Sequence, residues 1–290
     1  MNKNIISVLV IAFIFFFAAN VYATDDLVWA IPKLDNLRNA QGLSAKAELR
    51  PLPKSLSDSK SYIVGGSPTP LGKYPDYALL WEDGLDGYWY AICGASLIAT
   101  NKILTAAHCT VDSSASRLAV IPNFHSFSED ATLGNLIYVG QKIEHPNYNE
   151  SPSTRNDIAV LTLNEQVSTA KANIYGGTKQ LAGHTATVIG TGRLSGDGDA
   201  PNTLQEVDLT IVGNSQCAGV WGSSAITSAM MCAGGTSSGG IGACSGDSGG
   251  PLFVSLYGKR VQAGIVSWGH QDCAVPNYYD VYARTNKDRS

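Results

Sequence analysis

From Ile63 onward the chain alternates short apolar runs with turn-forming residues. The runs are "YALLW" at 77–81, "GASLI" at 94–98, "IYVGQKI" at 137–143, "IAVLTL" at 158–163, "TATVIG" at 185–190, "EVDLTIV" at 206–212 and "VQAGIVSW" at 261–268. They are rich in Val, Ile, Thr and aromatic residues, which suit a pleated, half-buried surface. Gly, Pro, Asn and Ser separate them at short intervals, so the pattern predicts an all-β sandwich or barrel. Residues 24–62 break the pattern. They carry several Pro and Ser, mixed charge and no alternation, and read as a pro-segment with at most a short helix. Ahead of them, Lys3 precedes an apolar run from Ile5 to Ala19, and Val21-Tyr22-Ala23 offers a small-residue processing site. That arrangement predicts an export signal cleaved after Ala23. The run is short for a membrane span of about 20 residues, so no stable membrane anchor is expected. Three units result: a signal peptide over 1–23, a pro-segment over 24–62 and a globular domain over 63–290.

Composition narrows the function classes. The chain is 44% hydrophobic and 15% charged, which fits a packed domain and excludes a disordered one. Its net charge is -4, and residues 63–290 hold 13 Lys/Arg against 19 Asp/Glu, giving 13 − 19 = −6. No basic cluster breaks that balance, so nucleic acid is not an expected partner. The six cysteines are Cys93, Cys109, Cys217, Cys232, Cys244 and Cys273. No C-x-x-C pair occurs, and in an exported chain this set predicts disulfides rather than a metal site. Spacing alone leaves fifteen pairings open.

Three segments carry candidate chemistry: "LTAAHC" with His108, "NDIAVLTL" with Asp157 and "GDSGGP" with Ser248. Each alone has a bland meaning: a core histidine, a turn aspartate, a glycine-rich loop. Together they supply what acyl transfer to serine requires. A serine hydroxyl needs a base to take its proton. Histidine titrates in the right range, and a buried carboxylate fixes its tautomer and stabilises the imidazolium. Backbone N–H groups must meet the developing oxyanion, and glycine leaves room to aim them. No cofactor is called for.

Through these segments the chain from Ile63 resembles the trypsin/chymotrypsin family of serine proteases, whose Ser-His-Asp triad performs this chemistry. The matching residues are "IVGG" at 63–66, "LTAAHC" at 104–109, "DIAVLTL" at 157–163, "GDSGGP" at 246–251 and "SWG" at 267–269. The resemblance implies two six-stranded antiparallel β-barrels with the active site in the cleft between them. It implies Ser248 as nucleophile, His108 as general base and then acid, and Asp157 as the orienting carboxylate. It implies an oxyanion hole from Gly246 and Ser248, and substrate binding by Gly242, Ser267, Trp268 and Gly269. It implies disulfides Cys93–Cys109, Cys217–Cys232 and Cys244–Cys273. It further implies a secreted, monomeric zymogen acting on protein or peptide substrates. A cut before Ile63 would free an α-amine that pairs with Asp247.

Several positions depart from the family pattern. The activating cut would fall after Tyr62, and Lys60 lies two residues too early, so activation calls for a protease accepting Tyr or a second trimming step. Six residues before Ser248, where Lys/Arg-cutting relatives carry Asp, stands Gly242. Asp280, two before Tyr282, stands where relatives commonly have Gly. It would project toward the floor that Gly242 vacates, relocating the pocket charge. The expected preference is mixed: Lys/Arg plus aromatic or large aliphatic residues. A purely chymotrypsin-like pocket is the alternative. Tyr279 replaces a common Pro and reads as a surface residue. Thr191 replaces a common Trp, with a local packing change expected. The chain stops soon after Tyr282, so most of the family's C-terminal helix is expected to be missing, exposing an apolar patch. The competing function is a catalytically silent homologue acting as a binding module.

Overall fold

The structure is a computed structural model that describes residues 29–33, 48–49, 63–85, 87–151, 153–192 and 201–286. Its strands are β1 (Trp29–Pro32), β2 (Glu48–Leu49), β3 (Ser67–Pro68), β4 (Tyr77–Asp83), β5 (Tyr88–Ala99), β6 (Lys102–Thr105), β7 (Leu118–Pro122), β8 (Ile137–Glu144) and β9 (Ala159–Leu163), then β10 (Thr185–Gly190), β11 (Gln205–Val212), β12 (Met230–Gly234), β13 (Pro251–Leu256), β14 (Lys259–Trp268) and β15 (Tyr279–Arg284). The apolar runs read between residues 77 and 268 fall in these strands, with Ile158 just ahead of β9.

Strands β5-β4-β7-β8-β9-β6 pair in that order, and β5 pairs with β6 to close a six-stranded barrel. Strands β10-β13-β14-β15-β12-β11 do the same, closed by β10 with β11. Closure removes the exposed sheet edges that invite aggregation. Alternation decides which side faces in. In β11, Val207, Leu209 and Ile211 are buried, whereas Asp208 and Thr210 are exposed. Leu80, Leu97, Ile103, Leu118, Val120 and Leu161 fill the first barrel. Val188, Leu209, Ile211, Met231, Leu252 and Tyr282 fill the second. A third cluster holds Tyr77, Trp81 and Phe124 of the first half against Ile189 and Phe253 of the second, cementing one barrel to the other.

The three disulfides form as the resemblance implied, Cys93–Cys109, Cys217–Cys232 and Cys244–Cys273. Each closes a loop for which the chain-entropy account gives about 3 kcal/mol. The expectation of at most a short helix in the pro-segment is corrected. β1 pairs antiparallel with β5, and β2 with β1, extending the first sheet to eight strands. Four residues are too few to show an alternation; their conformation is set by the β5 edge they meet. The apolar run at residues 5–19 and the junction at residues 50–62 lie outside the described residues. Among the described residues no helix is long and apolar enough to cross a membrane.

Candidate active site

Strand pairing brings His108 and Asp157 together. β6 and β9 run antiparallel with Thr105 opposite Ala159. His108 follows β6 on a short 3-10 turn, Ala107–Cys109, and Asp157 precedes β9, so both emerge at the same end of the pair. Asn156 turns the chain there with φ 51°, a conformation Asn tolerates. The Cys93–Cys109 bridge anchors the His108 turn to β5.

The Asp157 carboxylate is 1% exposed and fully engaged. Its Oδ2 accepts from His108 Nδ1 at 2.7 Å and from the Ser267 hydroxyl at 2.5 Å, and its Oδ1 accepts from the His108 N–H at 2.9 Å. Burial pushes the Asp157 carboxyl up. The His108 side-chain bond, the His108 charge, the Ser267 hydroxyl and the His108 amide outweigh that, and hold it below the usual carboxylate value. Nδ1 as donor leaves Nε2 of a neutral imidazole as an acceptor. Ser267 escaped the sequence reading in this role, because no spacing signals a contact across 110 residues.

Ser248 sits on the turn before β13. Its carbonyl accepts from Gly94 N at 2.7 Å, linking the second barrel to β5 one residue after Cys93. A Cβ at Gly94 would lie 2.8 Å from Gly250 Cα, so the two backbones need glycine to approach this closely. Gly246 has φ 97°, which also calls for glycine. The N–H groups of Gly246 and Ser248 donate to no other described residue, and the Ser248 hydroxyl makes no hydrogen bond to His108 among the described residues.

Asp247 is fully buried, and its oxygens accept from Gly192 N at 2.7 Å and Cys244 N at 2.9 Å. Burial pushes its carboxyl up to about 7, and the two amides offset only part of that. No cationic side chain pairs with it among the described residues. Ile63 is completely buried in the second barrel's core with φ 22°, a strained value for a β-branched residue.

Asp280 lies beside Gly242. A Cβ at Gly242 would lie 2.7 Å from its Oδ2, and one at Gly269 would lie 3.2 Å from its Oδ1. Its carboxylate therefore stands between the Gly242 segment and the Ser267–Gly269 segment, and Oδ2 accepts from Ala243 N at 2.7 Å. Burial raises it to about 7. The Cys244–Cys273 bridge ties these walls, and Trp268 packs edge-on against Trp221 at 5.0 Å. Tyr279 corrects an expectation: it is buried, with its hydroxyl accepting from Gln216 Nε2 at 2.7 Å. It faces α1 (Asn214–Trp221), a partner invisible in local sequence. Thr191 is buried beside Tyr77. Cys93, His108 and Cys109 converge, but the two sulfurs are bonded to each other and offer no thiolate to a metal.

Comparison with known proteins agrees with this geometry. The trypsin family model matches residues 63–289. Trypsin-1 of Astacus astacus is 35% identical over 231 residues, covering 77% of this chain and 95% of the relative. Trypsin delta of Drosophila melanogaster is 38% identical over 227 residues, covering 76% and 83%. Venom serine protease Bi-VSP of Bombus ignitus is 33% identical over 244 residues, covering 78% and 66%. Two closed six-stranded barrels, three matching disulfides and a family match across the whole of this double barrel lead to one conclusion: the chain belongs to the trypsin family and is a serine endopeptidase.

Proposed function

We propose that this endopeptidase works through Ser248, His108 and Asp157. Ser248 Oγ attacks the scissile carbonyl while His108 Nε2 takes its proton, then returns it to the leaving amine. Asp157 holds Nδ1–H and stabilises the imidazolium. The N–H groups of Gly246 and Ser248 receive the oxyanion, a contribution worth about 10²–10³ in rate per donor. The substrate backbone adds as a strand beside Ser267–Gly269. The carrying observation is the buried Asp157 carboxylate that accepts from His108 Nδ1, the His108 backbone N–H and the Ser267 hydroxyl. Ser248 and His108 close to hydrogen-bond reach when substrate excludes water, as loose apo geometry commonly does.

The precursor is exported, and a cut before Ile63 activates it. Two features support this. Asp247 is a buried carboxylate whose site holds amide donors and, among the described residues, no side-chain cation; an α-amine would complete it. Ile63 is strained at the residue whose preceding bond would be cut. In the primary pocket Asp280 supplies the charge that Gly242 does not, giving mixed preference for Lys/Arg and large neutral residues. A chymotrypsin-like reading has its own support, because Asp280 is raised to about 7 and already bonds Ala243 N.

The test is a cleavage profile on a diverse peptide library with protein sequenced to begin at Ile63. Ser248→Ala should lose all cutting, and Asp280→Gly should lose the Lys/Arg share only. Residual cutting by Ser248→Ala at the wild-type rate would refute the triad.

A further inference from the structure

β5 is longer than the barrel needs. It runs twelve residues, Tyr88–Ala99, but β6 covers only its far end, from Ser96 to Ala99. The near end, Tyr88–Tyr90, has β4 on one side and β1 on the other, with Ala30 opposite Tyr90, Ile31 opposite Trp89 and Pro32 opposite Tyr88. β1 thus fills the stretch of edge that β6 leaves open.

The contact goes beyond backbone pairing. Ile31 is 0% exposed and belongs to the cluster of Tyr77, Trp81, Phe124 and Phe127 that cements the barrels. Trp29 stacks flat on Phe127, with centroids 4.6 Å apart and an interplanar angle of 8°. Lys33 pairs with Asp83 at 2.5 Å, and its N–H donates to Gly87 O at 2.8 Å. Without β1, the Phe127 face, Trp89 and a row of β5 backbone groups would meet water. No covalent bond substitutes for these contacts, because all six cysteines lie from Cys93 onward and pair among themselves.

We propose that the first barrel carries a docking edge for an extended aromatic–small–aliphatic–Pro–Lys peptide, that Trp29–Lys33 is its resident occupant, and that the fragment ending at Tyr62 stays bound non-covalently after activation. This rests on the reading that the chain is cut before Ile63. The mature enzyme is then two chains, with the light chain completing the hydrophobic cluster between the barrels.

The test takes the secreted precursor, cut and passed through gel filtration. N-terminal sequencing of the large chain asks whether the cut lies before Ile63, and so tests activation by itself. Native mass spectrometry of the same peak asks whether the fragment stayed. Wild type should carry about one fragment per enzyme. Ile31→Asp should carry about tenfold less or none. Trp29→Ala, which removes only the stacked ring, should weaken retention by about tenfold and covers the case of an Ile31→Asp protein that fails to fold. An Ile63 chain that elutes alone from wild type overturns the proposal. If sequencing finds a different start, hydrogen exchange on the uncut chain decides the docking edge. Slow exchange at residues 29–33 and 88–91, lost in Trp29→Ala, supports it; exchange at unfolded-chain rates in wild type overturns it.

Discussion

Replacing Asp280 with Asn isolates charge from shape. The amide keeps the size and retains a carbonyl oxygen for the Ala243 N–H, now bonded at 2.7 Å. The Gly242 and Gly269 walls should therefore stay where they are. Only the negative charge is lost. A cation in a buried site deprived of its partner costs about 3–5 kcal/mol. At 1.36 kcal/mol per factor of ten, that is a fall from roughly 10² to several thousandfold in kcat/KM for Lys or Arg substrates. Phe and Leu substrates do not use the charge and should change by less than about threefold. The assay is a set of fluorogenic peptides differing only at the residue before the scissile bond. Wild type adds a pH test. Burial raises Asp280 to about 7, so the free pocket is largely neutral at pH 6 and charged at pH 8. The Lys/Phe ratio of kcat/KM should rise about tenfold between these values, while the shared titration of the catalytic groups cancels. Equal losses on Lys and Phe in Asp280→Asn, or a Lys/Phe ratio flat with pH, would refute the relocated-charge reasoning.

Asp247 gives a second pH test. A carboxyl raised from 3.8 to about 7 on folding binds its proton more tightly folded than unfolded, so the uncut precursor is favoured below pH 4 and loses stability as pH rises toward 7, by roughly 4 kcal/mol. Urea unfolding at pH 5 and pH 8 should show a loss larger in the precursor than in the cut form by about 3 kcal/mol, the share from Asp280 being common to both; equal losses would count against amine pairing. Ser267→Ala removes the hydroxyl on Asp157 and should lower kcat by about tenfold with KM unchanged; steady-state kinetics with no change in kcat would contradict the support role. Gly94→Ala drives a methyl within 2.8 Å of Gly250 Cα, so it should cost about 1–3 kcal/mol in a thermal melt and reduce kcat as the Ser248 turn shifts; an unaltered melt would contradict the close approach.

Strands β9 and β11 were legible because burial alternates along them, whereas β4 and β10 are buried over most of their length and were legible as apolar runs between turn residues. The pairing of His108 with Asp157 was legible only through family resemblance, since the two are 49 residues apart and meet through the β6–β9 register. Asp280 could be aimed at Gly242 only through the family resemblance, by its place two residues before Tyr282. Ser267 on Asp157 and Tyr279 against Gln216 could not be foreseen, because both depend on side-chain directions across barrel seams. β1 was hidden for another reason. Trp29–Pro32 has weak strand character of its own, and the long near end of β5 determines its conformation.

The central claim is that Ser248 is an activated nucleophile. The most direct measurement is stoichiometric reaction of the enzyme starting at Ile63 with a serine-directed phosphonate, followed by peptide mass mapping. One adduct per chain is expected, on Ser248, formed in step with loss of peptidase activity and slowed by orders of magnitude in His108→Ala. Full inactivation with the adduct elsewhere, or an unlabelled Ser248 in fully inhibited enzyme, would contradict the claim.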